Sequence, residues 1–278
     1  MDDRKRIQIM SLIVMLIGAI LMFQGRNFVD NINFLTNEID EKEELNIKSE
    51  IVLGIYSKIP KGEFDYKKFT YYSTYNSKKQ TIDQLNDDFI INSALYNLDY
   101  DDFSPNYTAD PEMQNQVYKL SKETMLEKIN DIFGEIEFDI EKYAKDKILN
   151  LKFNALTSSQ YIDGDFYFYE YFDSTKVLSS EVFNKLIKAE QEHDYIYLYD
   201  KYLRVVSSDE KPNEVFEIYY DEKTKSKETL TSDEFYNLES SLDNLEKLKN
   251  IKAYTYKHTF KKIDDDNYVW VSTEIFEK

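Results

Sequence analysis

Apolar residues along this chain change their spacing repeatedly, and each change predicts a different kind of element. From Ile7 to Phe23 they run almost unbroken, with only Gln8 and Ser11 polar and no charge. A helix of that length rises about 26 Å, near the minimum for crossing a hydrocarbon core of about 30 Å. Gln24 and Gly25 extend it, so the pattern predicts a transmembrane signal-anchor helix over 7–25. Arg4, Lys5 and Arg6 precede it, and the positive-inside rule keeps the 1–6 tail in the cytoplasm. Everything after Arg26 then lies outside. A cleaved signal peptide is the competing reading, but it calls for a shorter apolar run and a small-residue cleavage site, which ILMFQGRNF does not offer. A buried helix of a soluble protein is the third reading; the six leading residues give it nothing to pack against.

Residues 26–48, centred on NEIDEKEELNIKSE, are polar and acidic and read as a charged stalk. The folded extracytoplasmic domain is expected over 49–278, with a subdivision near 160. Its first part has helical spacing. In SEIVLGIYSKIP, Ile51, Ile55 and Ile59 share a face that stops at Pro60. In TIDQLNDDFIINSALYNL, Thr81 and Gln84 make a capping box, and Ile82, Leu85 and Phe89 share a face. LSKETMLEKINDIFG is the best-marked helix: Ser121 caps it, Leu120 and Met125 hold staple positions, and Gly134 ends it.

From Glu135 the period shifts toward two. EIEFDIE alternates Ile136, Phe138 and Ile140 with acids, and ILNLKF offers another strand. Asp163-Gly164 signals a hairpin leading into DGDFYFYEYFDS, where six aromatic rings fill seven consecutive positions. EVFNKLIKAEQ fits helix or strand; DYIYLYDKYLRVV and VFEIYYDE read as strands. A last helix carries Phe235, Leu238, Leu242, Leu245 and Leu248, and a hairpin of AYTYKHTF and NYVWVSTEIF turns at Asp264 to Asn267. The expected fold class is α+β, with helices packed on a curved, mostly antiparallel, tyrosine-rich sheet.

Side chains alternate across a strand, so each strand splits into two faces. Phe166, Phe168 and Phe172 share one face with Glu170, against Tyr167, Tyr169 and Tyr171. Ile196 and Leu198 oppose Tyr195, Tyr197 and Tyr199. In the final hairpin Tyr254, Tyr256, His258 and Phe260 share a face, and Tyr268, Trp270, Ser272, Glu274 and Phe276 line one side of the partner strand. The structural reading has one face on the helices and tyrosines covering the other, rings buried and hydroxyls wet. The functional alternative is a concave aromatic face that stacks on sugars or holds a peptide. The candidate ligand-binding set is Trp270, His258, Glu274, Tyr256 and Glu170, because a carboxylate or imidazole on a buried face costs roughly 2–7 kcal/mol unless partnered. Edge residues turned to water are the plainer account of the same groups.

Composition narrows the chemistry. The formal charge is −18, with acids spread along the chain, so phosphate backbones are repelled and nucleic acid is not an expected partner. There is no cysteine, which removes disulfides, thiolate catalysis and thiolate zinc sites together. Only four of 35 basic residues are arginine, a bias that fits AT-rich coding and explains part of the tyrosine excess. His193 and His258 lack metalloprotease spacing, and no glycine-rich phosphate loop or serine elbow occurs. Asp99, Asp101, Asp102 and Asp110 suit calcium by type but lack an EF-hand pattern, so a solvated loop is the simpler reading. No metal or cofactor is implied. A carboxylate-dependent hydrolase needs two acids converging in a cleft.

IYSKIP, DIFG, DYIYLYDKYLRV and the closing YTYKHTFKKIDDDNYVWVSTEIFEK, together with the short apolar N-terminus, resemble uncharacterised single-pass surface proteins of AT-rich Gram-positive bacteria. The resemblance is one of layout and implies location and lifestyle only; a surface protein or envelope component is the partner expected from the outward-facing reading. The closing hairpin also resembles cystatin-like and nuclear-transport-factor-like curved sheets, a likeness of fold alone. The expected function is a non-enzymatic interaction or scaffolding module at the cell surface, with glycan or small-ligand binding as the alternative.

Overall fold

The computed structural model describes residues 42–61, 64–65, 70–71, 74–103, 117–144, 157–170, 180–208, 210–221, 224–237 and 253–278. The apolar span 7–25, the ILNLKF segment and the leucines of 238–252 lie outside these. Among the described residues no helix is long and apolar enough to cross a membrane. A compact unit begins at Glu43, so the last part of the expected stalk belongs to the fold.

Five helices are described: α1 Glu50–Ser57, α2 Asp87–Tyr96, α3 Lys122–Phe133, α4 Ile140–Ala144 and α5 Ser232–Tyr236. The strands are β1 Glu43–Glu44, β2 Phe64–Asp65, β3 Thr70–Tyr71, β4 Gln80–Thr81, β5 Val117–Ser121, β6 Thr157–Ile162, β7 Asp165–Glu170, β8 Ser180–Glu192, β9 Tyr195–Ser207, β10 Val215–Tyr219, β11 Lys225–Thr231, β12 Tyr254–Lys262 and β13 Tyr268–Glu277. The architecture is α+β with antiparallel pairing. The main sheet runs β1-β8-β9-β12-β13-β4, with β10 joining β9 and β11 joining β10. A second sheet has the order β5-β7-β6, and β2 pairs with β3. Position 160 falls inside β6.

Local sequence explains most of these elements. Ser49 caps α1 by accepting from the Val52 amide. The stripe that α1 buries is Val52 and Ile55, with Ile59 buried just beyond its end, rather than the expected Ile51, Ile55 and Ile59; Ile51 is exposed. The Thr81–Gln84 box forms, but it closes a short 3₁₀ turn, and α2 starts afresh from the Asn86 cap. For α3 the expectation holds: Ser121 accepts from the Thr124 amide, Leu120 and Met125 are buried, and Gly134 ends the helix at φ 77°. The EIEFDIE stretch is not a strand. Asp139 receives the Lys142 amide and starts α4, while Ile136 and Phe138 pack half-buried from a loop. Alternation there records a loop with one side on the core. EVFNKLIKAEQ resolves as β8, and Asp163 and Gly164, both at positive φ, make the tight turn between β6 and β7.

One core lies between the helices and the inward face of the sheets. Val52, Ile55, Ile91, Leu95, Met125 and Ile129 meet Phe166, Phe168, Ile196, Leu198, Tyr202 and Phe260. A second core forms from Phe183, Leu203, Val205, Phe216, Ile218, Leu230 and Phe235. In β9, Ile196, Leu198 and Tyr202 are of one parity and Leu203 and Val205 of the other, so the two cores sit on opposite faces of that strand. Along the edge of β9 away from β8, Tyr195–Tyr202 pair with β12 and Arg204–Ser207 pair with β10.

Candidate functional site

The inward face of the main sheet carries one concentration of polar groups, and it forms because β13 breaks its own alternation. Thr259 pairs with Ser272 but Phe260 pairs with Trp270, leaving Val271 as a bulge. The extra residue brings Trp270 and Thr273 onto the same face, together with Phe260 and His258. In β9 the inward series Ile196, Leu198, Tyr202 includes Asp200. Asp200, His258 and Thr273 are each 0% exposed.

These groups are joined in a line. Trp270 Nε1 donates to Thr273 Oγ1 at 3.0 Å, Thr273 Oγ1 meets His258 Nδ1 at 2.8 Å, and His258 Nε2 meets Asp200 Oδ1 at 2.9 Å. The indole can only donate and an ionised carboxylate can only accept. A neutral imidazole with its proton on Nε2 therefore satisfies every partner: Nε2–H donates to Asp200, and the Thr273 hydroxyl, accepting from Trp270, donates to Nδ1. The other oxygen of Asp200 accepts from Tyr56 of α1 at 2.8 Å and from Tyr75 at 2.6 Å. The buried carboxylate is thus held by three donors from three segments. Burial, then the neighbouring Asp200 charge, pushes the Tyr56 and Tyr75 hydroxyls far above the ordinary phenol range, so both stay protonated and donating.

Aromatic rings seal the centre. Tyr75 stacks on Tyr202 at 3.9 Å and meets Tyr256 and His258 edge-on at 5.0 and 5.2 Å. Tyr256 donates to the Tyr220 carbonyl at 2.9 Å. Lys58 closes the helix side, its Nζ donating to Asp131 Oδ1 at 2.6 Å, Asn267 Oδ1 at 3.0 Å and the Tyr268 carbonyl at 3.3 Å.

The residues singled out in the sequence divide accordingly. Trp270, His258 and Tyr256 come together, inside the core. Glu274, expected beside Trp270 and His258, is turned by the bulge to the opposite face. There it pairs across from Lys257, with Lys79 at 3.7 Å and Lys257 at 3.9 Å. Glu170 ends β7 opposite Thr157 in the three-stranded sheet. Asp200, Thr273, Tyr56 and Tyr75 were not singled out; an acid at the inward parity of β9 was the signal for the first.

The outward face near the β8–β9 turn is laid with rings and charges. Tyr195 and Tyr197 stack at 6.5 Å, Lys257 lies over Tyr197 at 4.4 Å, and Lys188 lies over Tyr199 at 5.4 Å. Tyr199 donates to Glu190 at 2.8 Å, and the exposed Phe276 ring meets it at 4.9 Å. Tyr167 in β7 shows the same division: it is half-buried, with Lys119 near its ring, while Phe166 and Phe168 are buried.

Asp102 pairs with Lys128 at 3.0 Å and accepts from the Asp99 amide; Asp110 lies outside the described residues. Among the described residues no group of three or more His, Cys, Asp or Glu is placed to hold a metal ion. No family model, curated protein or solved structure matches this chain.

Proposed function

We propose that this chain is a single-pass membrane protein whose outward α+β domain is a non-enzymatic interaction or scaffolding module at the cell surface. The observation that carries the reading is how the polar groups are distributed. The one relay with catalytic connectivity described above is spent inside the core, while the open sheet face carries Tyr195, Tyr197, Lys257, Lys188 and Phe276. Lysine ammonium groups already lie over the rings of Tyr197 and Tyr199, which suits a mixed polar–aromatic protein contact better than flat stacking on a sugar. The glycan reading loses its anchor with Trp270 and His258 buried. The bulges at Ile187, Val271 and Phe276 bend the strands and support the curved, cystatin-like form of the sheet. The apolar run 7–25 and the basic residues before it support the anchor and its orientation.

Two measurements test this. Protease added to intact cells should remove a C-terminal tag; a protected tag refutes the orientation. Cross-linking on intact cells should capture the same envelope partner with the wild-type chain and lose it with Y197A/F276A. Equal capture by that variant refutes the use of this face.

A further inference from the structure

The Asp200–His258–Thr273 line has the order of a carboxylate, a base and a nucleophile, yet all three residues are closed to solvent. Its reach is limited to its own neighbours. Strand register sets Leu198, His258, Thr273 and Gln80 in one row across β9, β12, β13 and β4. Directly opposed residues of an antiparallel pair share a face, with Cβ atoms about 4.5–5.5 Å apart. Register therefore sets Gln80 beside Thr273 on the side away from His258. The Gln80 amide is turned back onto the carbonyls of Lys78 and Lys79, at 3.2 and 3.3 Å. Those are exposed contacts, and a bond between the two opposed residues requires the amide to leave them for Thr273.

We propose that Thr273 and Gln80 become joined by an ester, made once within the folded chain by the Asp200–His258 relay. Thr273 Oγ1 gives its proton to His258 Nδ1 and attacks Gln80 Cδ. The Asp200 carboxylate holds the imidazole through Nε2–H while it is charged. His258 then returns the proton to the departing nitrogen, the Cδ–Nε2 bond breaks, and ammonia leaves. One hydroxyl and one carboxamide become one ester and one ammonia, with no oxidant or co-reactant. The Thr273 end of the bond is fully buried, which keeps water from that side of the product. The bond also has a structural use: β4 is held to β13 by only two residue pairs, and the chain has no cysteine with which to staple them.

The test is the mass of the full-length chain with a peptide map. The expected chain is lighter than its sequence by one ammonia, about 17 Da, and the Gln80 and Thr273 peptides are recovered as one linked species. T273S retains the link; T273V and Q80E lack it. The wild-type measurement decides by itself, so a variant that fails to fold leaves the question open to no doubt. A chain of full sequence mass with Gln80 and Thr273 in separate unmodified peptides overturns the proposal, as does a deficit mapped to another pair. The result does not depend on where the protein resides.

Discussion

Replacing Asp200 with alanine removes the acceptor shared by Tyr56, Tyr75 and His258. Each donor left unpaired in the interior costs about 1–3 kcal/mol. Tyr56 is only half-buried and can turn its hydroxyl toward water, so most of the loss comes from Tyr75 and His258. The expected cost is about 2–6 kcal/mol, the sum over those two donors. Against a typical domain stability of about 5–15 kcal/mol, that is enough to shift the urea midpoint strongly. D200N, which keeps the shape and one acceptor, should cost about 1–2 kcal/mol. Urea unfolding can be followed by the fluorescence of Trp270, the chain's sole tryptophan, which donates into the same line. Adding H258A to D200A should cost less than H258A alone by about 0.5–3 kcal/mol, since the imidazole has already lost its partner. A D200A cost below about 1 kcal/mol, additive with H258A, refutes the picture of a sealed, mutually satisfied centre.

The tyrosines give a pH dependence. Tyr56, Tyr75 and Tyr256 are raised above the ordinary 10.0, chiefly by burial. Their contribution is therefore full below pH 10 and is lost as pH climbs beyond it, because only the unfolded chain ionises them readily. Tyrosinate absorbance should rise in two phases, the second coinciding with loss of circular dichroism; a single phase in a folded chain refutes this. G134A should cost about 1–3 kcal/mol through backbone strain at φ 77° and ψ −173°, since the added methyl lies an ordinary 3.7 Å from Val269; an unchanged melting temperature rules out the strain. K58M unties α1 from Asp131, Asn267 and the Tyr268 carbonyl and should cost about 1–2 kcal/mol, read as earlier loss of amide-exchange protection in α1 than in β12.

Much of this architecture is written in local pattern. The caps of α3, the Asp163-Gly164 turn, the closing hairpin and the aliphatic–tyrosine division of β9 depend on neighbours in sequence, and all are visible there. Three features are not. Ile136, Phe138 and Ile140 alternate like a strand, but a capping Asp139 lets the last of them begin a helix. The Val271 bulge reverses the parity of β13, so a face assigned by strict alternation places Glu274 with Trp270 when it belongs with Lys257. Asp200 stands inside YIYLYDKY, where surrounding tyrosines make an acid look like surface; only its inward parity marks it. Its partners Tyr56 and Tyr75 lie far away in sequence, and no periodicity announces such a meeting.

The divided edge of β9 also bears on how the chain is made. Synthesis delivers β9 with greasy side chains on both sides at once. The strand that completes its first half, β12, begins at Tyr254, long after β9 ends at Ser207. During that interval a sticky ribbon waits for its neighbour, with apolar surface and an unpaired edge open to aggregation.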